Sequence, residues 1–81
     1  MTLEDVRHRC ITLLRTRIRN GELTERGLAR LVGISQPHVH NVLCGKKTFS
    51  LEATDQIMLK LRLGIFDLVD PAEWSEWQNR Q

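Results

Sequence analysis

The 81-residue chain predicts an all-α fold, five helices followed by a short extra helix at its C-terminal end. Three observations carry that expectation. Apolar residues recur at steps of three and four, the period of one helix face. Capping residues and glycines punctuate these runs where helices would start and stop. No stretch alternates apolar and polar residues as a half-buried strand would, and no internal repeat or low-complexity segment breaks the pattern.

Thr2 stands before Leu3-Glu4-Asp5, a capping hydroxyl followed by acids that suit the positive end of a helix. Leu3, Val6, Cys10, Leu13 or Leu14, and Ile18 then form one apolar stripe, with Arg7, Arg15 and Arg19 largely off it. Asn20-Gly21 stops this first helix, because both residues tolerate the left-handed conformation. Leu23-Thr24 opens a second helix, whose inner face is Leu28, Ala29 and Leu31, and Gly33 breaks it. Ser35 caps a third, with Pro37 in its first turn, where a missing N–H costs little, and Gly45 ends it. Thr48-Phe49-Ser50 leads into a fourth, with Leu51, Ile57 or Met58, and Leu61 facing the core. Gly64 interrupts, and residues 65–69 read as a short fifth helix. Asp70-Pro71-Ala72-Glu73 combines a capping Asp, a Pro at the first helical position and an acid three residues after the cap. A last helix bearing Trp74 and Trp77 is expected to follow. The chain thus divides into a domain over 1–69 and a tryptophan-containing tail over 70–81.

A single domain this short must fill its core efficiently. Apolar residues make up 41% and aromatics 5%, which suits a helical bundle filled by Leu, Ile and Val. Residues 1–20 carry an Arg every few positions, unlike a signal peptide, and no apolar run is long enough to cross a bilayer. Cys10 and Cys44 lie on separate elements without a Cys-x-x-Cys pattern, so a reduced, soluble, cytoplasmic protein is expected. The net charge is only +2, but it is unevenly placed. Residues 1–62 hold eleven Lys and Arg against six Asp and Glu; residues 63–81 hold one against four. A basic body with an acidic end points to a polyanionic partner for the body and a different role for the end.

Catalytic chemistry finds little support. His8 and Cys10 are two apart on a long helix, and Cys10 falls on the apolar stripe, where a buried structural thiol is the simpler reading. No phosphate-binding glycine loop is present, and no cofactor is implied. A metal site would draw on His38, His40 and Cys44, with Cys10 as a fourth ligand. His40 and Cys44 are one turn apart, but His38 and His40 point in different directions. The paired close ligands of a structural zinc site are missing, so neither an enzyme nor a metal centre is expected.

The spacing around Gly33 is more informative. Two helices that cross steeply through a tight turn need a small residue where their backbones approach, and Ala29 fills that place. The turn needs a residue that accepts positive φ, and Gly33 does so without steric cost. The second of the two helices must bury one face, and Val39 and Val42 are spaced to do this. Helix-turn-helix units have this arrangement and set their second helix in the major groove of DNA.

The stretch Leu23-Thr24-Glu25-Arg26-Gly27-Leu28-Ala29-Arg30-Leu31-Val32-Gly33-Ile34-Ser35-Gln36, with Gly45-Lys46-Lys47 and Leu63-Gly64-Ile65, resembles the lambda-repressor-like (Cro/CI, or XRE) DNA-binding domain. The resemblance covers roughly residues 4–69 and ends beyond Asp70. It implies a five-helix domain that reads bases with its third helix, residues 36–44, as a dimer on a palindromic site. Two positions depart from the family pattern. Glu25 stands where Gln often grips a phosphate, and Gly27 where a capping-box Glu is common; both bear on the backbone clamp at helix two rather than on the fold.

With Val39, Val42 and Leu43 buried, a turn of 100° per residue directs Pro37, Asn41 and Cys44 outward, with His38 and His40 on the flanks. Asn and Gln can each pair with adenine N6 and N7, worth about 1–3 kcal/mol of discrimination. Asn41 is therefore a candidate for direct readout. So is Gln36, at the helix start where the family inserts a base-reading side chain. His38 is a third contact, beside Pro37. Lys46, Lys47 and Thr48 resemble the family's phosphate-contacting loop, Ser35 caps the reading helix and can touch a phosphate, and Arg26 and Arg30 lie on the helix the family sets near the backbone.

The expected function is sequence-specific binding of double-stranded DNA by a repressor-like homodimer, with no membrane association. The rival expectation is a protein-interaction module, or an antitoxin-type partner protein. It rests on Trp74 and Trp77, three apart on one helix face, either completing the core or forming a dimer or partner contact.

Overall fold

The computed structural model describes residues 2–68 together with Ala72 and Ser75. Among these residues all regular structure is helical: α1 (Leu3–Arg19), α2 (Glu25–Val32), α3 (Gln36–Leu43), α4 (Leu51–Lys60) and a single turn, α5 (Ile65–Leu68). Four helices thus run two turns or more, and the segment expected as a fifth reaches only one turn. The expected tail helix, with Trp74 and Trp77, lies outside the described residues. No described helix is long and apolar enough to cross a membrane.

Each longer helix begins on a side-chain cap. Thr2 Oγ1 accepts the Asp5 N–H at 3.1 Å while Asp5 Oδ2 accepts the Thr2 N–H at 2.9 Å, a reciprocal capping box. The Thr2 N–H holds the Asp5 carboxyl below the usual carboxylate range. Thr24, Ser35 and Ser50 cap α2, α3 and α4 through the N–H groups of Gly27, His38 and Ala53. Gly27 suits its cap, because a Cβ there would sit 2.9 Å from Thr24 Oγ1.

The core is built where these helices cross. α1 packs on α3 and α5, and α2 packs on α3 and α4. Leu14, Leu28, Val39, Val42, Ile57 and Cys10 are fully enclosed, with Phe49 and Ala29 buried beside them. Each large side chain contributes about 1.5–3 kcal/mol by leaving water. Burial pushes the Cys10 thiol up, as expected for a structural cysteine in apolar surroundings.

Two core expectations need correction. Leu3 and Leu51, placed on core-facing stripes by period, are 57% and 50% exposed. Each is the first residue of its helix, and together they border an open groove instead of facing inward. Thr54 takes a buried place on α4; its hydroxyl donates to the Ser50 carbonyl at 2.9 Å, so the polar group is satisfied within its own helix. Gly64 lies in the break between α4 and α5, as the sequence suggests, while the left-handed residue directly after α4 is Arg62, at φ 56°. Gly64 donates its N–H to Asp67 Oδ2 at 2.6 Å, at the opening of α5.

Candidate nucleic-acid interface

The α2–turn–α3 unit is closed by local hydrogen bonds. Gly33 and Ile34 both donate their N–H groups to the Ala29 carbonyl, at 2.9 and 3.1 Å. Gly33 sits at φ 75°, ψ 30°, the left-handed conformation that reverses the chain, and Ser35 then caps α3. Ala29, Val39 and Val42 are buried, as the spacing predicts.

Both helix C-termini in this unit are held by cationic side chains from elsewhere. Lys60 Nζ donates to the Leu31 carbonyl at 2.6 Å, and Arg15 Nε donates to the Leu43 carbonyl at 2.6 Å. These cations satisfy carbonyls left over at the ends of α2 and α3 and lie at the negative end of each helix dipole. α4 and α1 thereby fix the orientation of the pair. Sequence reasoning missed both contacts. It left Arg15 among cations without an assigned role, and nothing local marks which carbonyl a distant Lys or Arg will reach.

The face opposite the core carries most of the expected contact residues. Gln36 and Pro37 are exposed in the first turn of α3, His38 is half-buried, and Asn41 is half-buried further along. Asn41 is less open than its helical position alone suggests. Its carbonyl accepts the N–H groups of Lys46 and Lys47 at 2.9 and 3.3 Å, folding the following turn back against the end of α3. Lys46, Lys47 and Thr48 are all exposed there. Ser35 uses its oxygen as a cap acceptor, which leaves its O–H to donate. Arg26 and Arg30 are exposed on α2. The surface formed by the start of α3, its following turn and α2 therefore offers amide, imidazole, hydroxyl and cationic donors on a rigid frame.

Glu25 and His40 were set apart in the sequence but meet here. His40 Nδ1 lies 3.2 and 3.3 Å from the two Glu25 carboxylate oxygens. The carboxylate that stands where Gln often grips a phosphate is thus paired with an imidazole on α3. On its other side His40 Nε2 lies 3.4 Å from Cys44 Sγ, one turn along α3. Among the described residues no group of three His, Cys, Asp or Glu side chains is arranged to hold a metal ion.

No protein-family model, curated protein or solved structure matches this chain.

Proposed function

We propose that this chain is a sequence-specific double-stranded DNA-binding protein of the lambda-repressor-like helix-turn-helix kind, acting as a repressor-like regulator in the cytoplasm. The observation that carries this reading is the α2–turn–α3 unit itself. Two eight-residue helices joined through a left-handed Gly33 and a Ser35 cap present Gln36 and Pro37 at the start of α3 and a turn bearing Lys46 and Lys47 at its far end. Such a unit docks its second helix in the major groove, and the lysines set its register on the phosphates. Gln36, Asn41 and His38 supply base contacts; Lys46, Lys47, Thr48, Ser35, Arg26 and Arg30 supply backbone contacts. One short reading helix spans few base pairs, so the working unit on DNA is a homodimer on half-sites about one helical turn apart.

Two variants test the division of labour. Asn41→Ala relaxes preference at one base position and leaves the salt dependence of binding nearly unchanged. Lys46→Ala weakens binding to every sequence and lowers the slope of log affinity against log salt by about one. Fluorescence anisotropy on specific and random duplexes at several salt concentrations reads both. Wild-type behaviour of both variants on both duplexes sinks the placement of α3 in the groove.

A further inference from the structure

The Glu25–His40–Cys44 chain at the end of α3 has the order of a nucleophile, a base and a group that orients the base. We propose that it is a reactive-thiol site, with Cys44 as the nucleophile and a low-molecular-weight disulfide as its substrate. Cys44 is exposed, whereas Cys10 is enclosed in the core. The His40 ring is gripped from α2 by Glu25 at 3.2 Å through Nδ1, which leaves Nε2 facing Cys44 Sγ at 3.4 Å. With Nδ1 donating to the carboxylate, Nε2 carries the lone pair and accepts the thiol proton; the imidazolium so formed is stabilised by Glu25.

The surroundings sharpen this reading. Cys44 is the C-cap residue of α3, and His40, one turn earlier, is the base in contact with its thiol. Arg15 reaches this end of α3 but spends Nε on the Leu43 carbonyl, and Lys46 and Lys47 follow on the exposed turn. Cys44 lies exposed at the end of α3. An open thiol beside a base suits direct exchange with a small, freely diffusing disulfide.

The step balances within its two reactants. The Cys44 thiolate attacks one sulfur of R–S–S–R, a new bond forms between Cys44 and that half, and the old S–S bond breaks. The electron pair leaves with the other half as RS⁻, which takes the proton held on His40 Nε2. Cys44 is oxidised to a mixed disulfide, and the departing half is reduced to a thiol. His40 acts as base, and Glu25 is a positioning residue.

The test uses the free full-length chain and oxidised glutathione, so it stands or falls separately from DNA binding. Mass spectrometry follows the adduct on the Cys44 and Cys10 peptides. A free thiol is only a few per cent ionised near pH 7, and the lower nucleophilicity of a more acidic thiol takes back part of the gain. Cys44 in the folded chain should therefore react at least about threefold faster near pH 7 than in the urea-unfolded chain, with no adduct on folded Cys10. His40→Gln, its folding checked by helical circular dichroism, should remove that advantage, and Glu25→Gln should remove part of it. The ratio of wild-type to His40→Gln rates should shrink from about pH 7 to about pH 9, where an exposed thiol ionises unaided. A purely structural His40 would leave that ratio flat. A folded-chain rate no higher than the unfolded one, or an unchanged rate in folded His40→Gln, overturns the proposal.

Discussion

Gly33 holds a backbone conformation, φ 75°, that other residues enter only at a steric cost of about 1–2 kcal/mol. A Cβ built there meets no neighbouring atom, so Gly33→Ala isolates the backbone effect from any clash. That variant should lose about 1–2 kcal/mol in urea unfolding and bind DNA more weakly through a looser turn. Unchanged stability would remove Gly33 as the element that sets the crossing of α2 and α3. Caps and turns of this kind are legible in a sequence because they close over three residues: Thr2, Thr24, Ser35 and Gly33 each act on a near neighbour. The pairing of Glu25 with His40 was not legible. The two residues are fifteen apart, and only the crossing of α2 and α3 brings them within reach.

At the scale of the element, the ends of helices decide how the candidate interface is held. Arg15, in the last third of α1, reaches the last carbonyl of α3, so Arg15→Met should cost about 1–2 kcal/mol and loosen the end of α3. Thermal unfolding reads the loss, and faster amide exchange in the Gly45–Lys47 turn than in Gly33 distinguishes a local effect from a global one. The Asp5 carboxyl, held below its ordinary value of 3.8 by the Thr2 N–H, adds stability that is present above that value and is lost as pH falls through the lowered one. Asp5→Asn should therefore be less stable than wild type at neutral pH, and the two should converge in acid; curves that stay parallel would contradict the capping box. Periodicity located α1 to α4 but misjudged Leu3 and Leu51, because a helical stripe says which side faces the core and not where along the helix the core ends. Arg62 takes the left-handed place after α4 that glycine usually fills, and the Arg62 and Leu63 N–H groups close the helix there by donating to the Leu59 and Met58 carbonyls.

At the scale of the whole molecule, the apolar core and the polar face of α2 and α3 divide the chain cleanly. Cys10 belongs to the core and Cys44 to the face, and the basic excess of the chain falls within residues 1–62, which include the proposed DNA surface. The all-helical architecture was legible because its signals repeat along the chain. Which exposed residues meet a partner is a different matter, since exposure alone does not separate a contact from a solvated face. The most direct measurement is selection from a random duplex pool at near-physiological salt, with sequencing of what the purified chain retains over several rounds. Recognition by a dimer should return a short palindrome whose half-sites are centred about one helical turn apart, the mark of two α3 helices reading one face of the duplex. Retention of unenriched sequence, or of none, would contradict it.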